Sequence, residues 1–200
     1  MARIDYYFST VSPFTYLAGT RMEEVAARHG ATVVYRPVDL AGAVFARTGG
    51  TPVNDRHPAR LALRAQELRR QSVKHGLPID LDPPFRAVNP APSSYAFIAA
   101  QKAGGGDLGA LVHALTGALW RDSRDIAEDA VIADCLGQAG FDRGLAGMGM
   151  LAGAEDYTRN TEAAVAAGVF GAPFYIVDDT EAFWGQDKIG DLDLYLAGRL

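Results

Sequence analysis

A single cysteine, Cys135, among 200 residues leaves nothing to pair with, so the chain contains neither an internal disulfide nor a Cys-x-x-Cys redox pair. No run of about eighteen uninterrupted apolar residues occurs, the minimum for a helix that spans a bilayer. Clusters of Lys and Arg are missing too. The formal net charge is −5, with basic residues dispersed, so the electrostatic footprint needed to hold nucleic acid or anionic lipid is absent. The four histidines are scattered, with none paired at ligand spacing, which argues against a metal centre. Met1-Ala2-Arg3 leads into a strand-like segment without an apolar leader. The expected compartment is the cytoplasm and the expected partners exclude both nucleic acid and membrane. What is present is apolar mass: 48% of the residues, enough for one substantial domain, or a core domain with a large insertion, to bury a core without covalent staples.

The patterning divides the chain in three. Ile4 to Phe8 is a β-prone run ending at Ser9-Thr10-Val11-Ser12-Pro13, and Tyr16, Leu17, Met22, Val25 and Ala26 then recur at helical spacing up to Gly30. Thr32-Val33-Val34-Tyr35 supplies a second strand, and a βαβ opening implies a parallel pair with a right-handed crossover. From residue 39 to 153 the composition turns helical, with helices expected over 60–75, 90–103, 108–120 and 126–139, broken by Gly76-Leu77-Pro78, Asp82-Pro83-Pro84 and Gly104-Gly105-Gly106. A helix over about 156–167, a strand at Phe174 to Val177, a turn at Asp178-Asp179, a strand near Ala182 to Trp184 and a closing helix complete the chain. The order βαβ, helices, αββα is that of a thioredoxin-like core, residues 1–38 and 154–200, carrying an all-helical insertion over 39–153. With no low-complexity linker, the insert should pack on the core. Periodicity by itself leaves other α/β folds open.

Two places carry candidate chemistry. Ser12-Pro13 stands where a strand gives way to a helix. A serine there caps the helix, and a proline fits its first turn because the missing N–H costs nothing. The same position also suits an anion, and a hydroxyl donating to a thiolate lowers the thiol pKa. Both readings stand on the residues. The second place is Gly168-Val169-Phe170-Gly171-Ala172-Pro173-Phe174, which puts a proline at a strand start. Were that bond cis, the Ala172 backbone would be an unpaired edge open to a peptide-like ligand. Cys135, in Val131-Ile132-Ala133-Asp134-Cys135-Leu136, reads as a small buried hydrophobe.

Ser12-Pro13-Phe14-Thr15-Tyr16-Leu17 resembles the N-terminal motif of the 2-hydroxychromene-2-carboxylate isomerases, relatives of kappa-class glutathione transferases in the DsbA-like branch of thioredoxin folds. Thr161 to Val177 is similar to the family's second hallmark, a helix entering a turn with a cis proline, and Phe183-Trp184-Gly185-Gln186-Asp187-Lys188 to its third. Three motifs in order, over nearly the whole chain, are more specific than any one. Where the oxidoreductases of this branch carry Cys-x-x-Cys, this chain has Ser12 and Thr15. The resemblance implies a DsbA-like α/β fold and glutathione as cofactor. It places Ser12 on the glutathione sulfur, with Phe14 beside it, the Ala172 backbone ahead of Pro173 on the cysteinyl backbone, and Gln186 and Asp187 at the γ-glutamyl end. It also implies that Asn54 contacts glutathione or substrate, that the substrate is a small aromatic acid, and that the chain forms a homodimer. Read without it, Gln186 and Asp187 are a solvated turn and Asn54 a turn residue after a proline. Arg56, Arg60 and Lys74 are cations that could meet a substrate carboxylate, or solvated helix-face charges. The expected activity is glutathione-dependent isomerisation to a trans-benzylidenepyruvate. A kappa-like transferase or peroxidase and a non-redox DsbA-like binding module stay open as alternatives.

Overall fold

The computed structural model describes residues 1–200. Strand β1, Arg3–Phe8, lies at the centre of a four-stranded sheet with order β2-β1-β3-β4. β2, Thr32–Pro37, runs parallel to it, while β3, Phe174–Val177, and β4, Glu181–Trp184, continue the sheet antiparallel. Because side chains alternate across a strand, β1 serves two cores. Ile4, Tyr6 and Phe8 face the main one, with Tyr35, Phe97 and Tyr175. Tyr7 turns to the other face, with Phe174, Ile176, Val38 and Val44. Both faces are covered, which explains the nearly continuous apolar run of β1.

The helices of the insert share the main core. These are α4, Pro58–His75, α5, Ala91–Ala103, α6, Leu108–Trp120, and α7, Asp129–Gln138. Phe97 of α5 meets Phe8 edge-on with centroids 5.1 Å apart, and Leu111, Leu115 and Leu119 of α6 are fully buried. Fully burying one such side chain contributes about 1.5–3 kcal/mol, so the insert is fastened to the sheet by its apolar faces.

Three expectations need correcting. The first helix is two: Pro13–Ala18 (α1) and Arg21–His29 (α2), separated at Gly19, whose φ of 59° and ψ of −137° no helix can contain. Apolar spacing survives the break because α2 buries Met22, Val25 and Ala26 in the same core, so periodicity does not register it. The helix after Cys135's own begins at Leu145 rather than near residue 156; α8 spans Leu145–Ala166 and passes through position 153 without interruption. Its first half is rich in glycine, which lowers helix propensity, and close packing against α5 overrides that preference. The stretch over 39–57 is less regular than expected: a wide turn at Leu40–Val44 runs into α3, Phe45–Thr48, and a single tight turn follows at Val53–Asp55. Helix α9, Ile189–Leu196, closes the chain.

Glu23 of α2 points inward, where the Tyr35 hydroxyl donates to its Oε1 at 3.2 Å and Oε2 has no partner. Burial pushes its carboxyl up to about 7 from 4.5. Between those values the folded protein keeps a proton that the unfolded chain has lost, so stability falls as pH rises through this window. Glu23→Gln removes the titration. Relative to it, the parent protein should lose on the order of 2 kcal/mol between the bottom and top of the window. Urea unfolding of both proteins across the range measures the difference; a constant gap between the two curves would contradict it.

Candidate active site

Ser12 follows the end of β1 on a loop pinned from several sides. Its own N–H donates to the Ser9 carbonyl at 3.0 Å, the Trp120 indole N–H reaches the Val11 carbonyl at 3.3 Å, and Ser93 Oγ donates to Thr10 Oγ1 at 2.9 Å. Ser12 caps α1, accepting the Thr15 N–H at 3.2 Å. Its hydroxyl proton goes elsewhere: Oγ donates to the Ala172 carbonyl, 160 residues away in sequence, at 3.2 Å. The Ala172-Pro173 bond is cis. The Ala172 N–H has no partner in the protein, while the Pro173 carbonyl accepts the Gly185 N–H at 2.9 Å. One locus therefore joins the Ser12 loop, the proline turn and the segment leading to Gln186.

Aromatic surface borders this locus. Trp184 is 51% exposed and Phe170 37% exposed, their rings meeting edge to face with centroids 4.8 Å apart. Glycine at 171 makes that possible, since a Cβ there would lie 2.1 Å from the Trp184 Nε1. Phe14 is half-buried, with the Arg64 guanidinium 5.7 Å from its ring centroid.

The other expected residues divide. Gln186 is 2% exposed, and its carboxamide oxygen accepts from Arg21 Nη2 at 2.6 Å. Arg21 also donates to the Leu17 and Ala18 carbonyls at the end of α1, so one guanidinium ties the Ser12 helix to the Gly185–Asp187 turn. Asp187 is exposed; its Oδ1 lies where a Cβ on Gly185 would stand, at 2.5 Å, and Gly185 has a φ of 109°. Asn54 is exposed on the Val53–Asp55 turn, and its side chain makes no hydrogen bond within the protein. Of the candidate cations, Arg60 and Lys74 are exposed and Arg56 is half-buried. Arg21 and Arg64 were not singled out from sequence: helical arginines carry no local mark of a partner or of its absence.

Burial lowers the Arg64 pKa, with the Arg56 charge second, and burial likewise lowers that of Arg56, with Arg60 second. Cys135 is 1% exposed, and burial pushes its thiol up to about 11, so it is no nucleophile. No group of three His, Cys, Asp or Glu side chains stands ready to hold a metal. A cleft of about 500 Å³ is lined by Arg3, Tyr7, Arg36 and Ile176 among others and shares no residue with the Ser12 locus. No helix is long and apolar enough to cross a membrane.

A four-stranded sheet with a helical insert, a pinned loop at the first helix and a proline turn facing it define a thioredoxin-type site, and the chain belongs to the DSBA-like thioredoxin domain family, matched over residues 3–197. It is 30% identical over 201 residues to a 2-hydroxychromene-2-carboxylate isomerase of Sphingobium xenophagum, covering 96% of this chain and 97% of the relative. A solved 2-hydroxychromene-2-carboxylate isomerase superposes with a TM-score of 0.79 at 26% identity, over 98% of this chain and 95% of that one. The cytosolic disulfide reductase DsbM from Pseudomonas aeruginosa, in a structure with GSH, gives a TM-score of 0.67 at 17% identity, over 98% and 96% of the two chains, a likeness of fold.

Proposed function

We propose that this protein is a glutathione-dependent isomerase of the 2-hydroxychromene-2-carboxylate type, converting a cyclic, hemiketal-like aromatic acid to a trans-benzylidenepyruvate. One observation carries the reading: the Ser12 hydroxyl lies 3.2 Å from the carbonyl of Ala172. The names of the relatives at near-full-length coverage favour isomerisation. A tripeptide thiol fits the residues present. The Ala172 N–H, unpaired in the protein, is an edge able to hydrogen-bond to a peptide backbone, and Asp187 offers an exposed carboxylate to an ammonium group.

When bound, glutathione would supply a thiolate able to add to a conjugated double bond and leave it again, which is what rotation about that bond requires. The protein's own part is electrostatic and positional. The Ser12 hydroxyl can turn its proton from the Ala172 carbonyl to a sulfur anion, and a bond made to the charged form lowers the thiol pKa. Holding the Ser12 loop by Trp120 and Ser93 sets that donor in place beforehand, so little reorganisation accompanies the reaction. Phe170 and Trp184 offer an apolar wall for an aromatic ring and keep water from the reacting bond. Gln186, fixed by Arg21, sets the position of the turn that bears Asp187.

The purified protein should form trans-benzylidenepyruvate from 2-hydroxychromene-2-carboxylate, followed by absorbance, only when glutathione is added, with free thiol unchanged at the end of the reaction. Thiol consumed in step with product would convert the reading to a transferase. Absence of both turnover and calorimetric glutathione binding would leave a binding module.

A further inference from the structure

We infer that Arg56 and Arg64 form a carboxylate-receiving subsite on the insert side of the Ser12 locus. The inference rests on the reading above and adds to it the group that this side of the site recognises.

Three observations carry it. First, both guanidinium groups are half-buried, and neither enters any ion pair in the protein. Glu67, three residues beyond Arg64 on α4, pairs with Arg70 instead. Of the lysines and arginines without an acid partner, only Arg21, Arg56 and Arg64 are half-buried, and Arg21 is instead held by carbonyls and Gln186. Second, their surroundings hold them without neutralising them. Arg64 stands over the Phe14 ring, and Phe14 is two residues from Ser12. Arg56 lies 5.9 Å from the Phe45 ring centroid and donates Nε to the Thr51 carbonyl at 2.9 Å, which leaves its terminal nitrogens free. Third, the loop carrying Arg56 abuts the other half of the locus: a Cβ at Gly50 would fall 2.1 Å from Phe45 Cδ1 and 3.0 Å from the carbonyl oxygen of Phe170, two residues before Ala172. One arginine thus borders the Ser12 side and the other is anchored in a loop that reaches the Ala172 side.

The Arg56 charge acts on Arg64, and partial burial of both guanidinium groups without an acid partner is unfavourable, because each loses hydration and the two repel. A planar carboxylate bound at these groups relieves both costs and matches the forked donors of arginine. Two carboxylates could arrive there: the glycyl carboxylate of glutathione, or the carboxylate of the aromatic substrate.

Isothermal titration of the full chain, of Arg64→Gln, of Arg56→Gln and of Arg64→Lys with three probes tests this. The probes are glutathione, glutathione amidated at its glycyl carboxyl, and trans-benzylidenepyruvate. Loss of a charge-assisted bond predicts that each glutamine variant weakens binding of one carboxylate by about ten- to a hundred-fold, with Arg64→Lys retaining part of it. If the source is glutathione, the wild-type protein discriminates against the amide by a similar factor and Arg64→Gln does not. If it is the substrate, glutathione affinity is unchanged and benzylidenepyruvate affinity falls. Folded glutamine variants, matched to wild type in thermal midpoint, that bind both carboxylates as wild type does overturn the subsite alone. A wild-type protein that binds neither glutathione nor benzylidenepyruvate overturns the subsite together with the proposed function.

Discussion

Ser12→Ala is expected to lower turnover by about one to three orders of magnitude while the protein still folds. The hydroxyl has two roles, and their energies can be separated. As the cap of α1 it accepts the Thr15 N–H, and losing a serine cap costs about 1 kcal/mol of stability. As a donor it satisfies the Ala172 carbonyl, and leaving a buried acceptor without a partner adds about 1–3 kcal/mol. A well-folded domain of this size tolerates such a loss. The catalytic loss is separate, because a preorganised donor to a developing anion contributes about 10²–10³ in rate. Thermal unfolding and steady-state absorbance kinetics should therefore diverge, a modest fall in Tm accompanying a large fall in kcat. Ser12→Thr, which keeps the hydroxyl, should recover part of the activity. If Ser12→Ala turns over as fast as the parent protein, the hydroxyl is a cap and nothing more.

The second large effect lies in the packing of α8 against α5. A Cβ at Gly153 would stand 2.5 Å from the Tyr95 carbonyl oxygen and 2.6 Å from its Cα, and one at Gly149 would stand 2.8 Å from the Ala96 nitrogen. These are backbone atoms, which cannot swing aside as a side-chain tip can. Gly153→Ala gains about 1 kcal/mol of helix propensity, but forcing two helices apart costs about 1–3 kcal/mol or more. We expect a net loss of about 1–2 kcal/mol, or roughly 3–6 °C in Tm for a chain of this length. At Gly147, on the same helix, an added methyl group would meet nothing within 4 Å, so Gly147→Ala should raise the Tm slightly. Opposite signs at two glycines of one helix, read by differential scanning calorimetry, are the test. A rise in Tm for Gly153→Ala would show that α5 and α8 can separate without cost.

The contrast between these glycines shows why the start of α8 could not be read from local pattern. Gly144, Gly147, Gly149 and Gly153 look alike along the chain, and local propensity counts each against a helix. Only the approach of Tyr95 and Ala96 distinguishes those that the packing requires. The break at Gly19 was hidden for a related reason: α1 and α2 present their apolar residues to the same core, so the spacing continues across it. The strands were legible because β1, β2 and β3 are short apolar runs bounded by turn residues. Ser12-Pro13 was legible as a helix start because capping acts over only a few residues.

Sequence alone therefore determined the absence of a thiol at positions 12 and 15, the order of the strands and the helix start at Pro13, the last two of which depend on neighbours within about a turn or a strand. The tertiary structure decided the rest. It brought Ser12 to Ala172, left Arg56 and Arg64 without acids, tied Gln186 to Arg21 and raised the Glu23 pKa. Each of these depends on which distant segment closes against which, and on how much water is excluded when it does. No local pattern records either quantity.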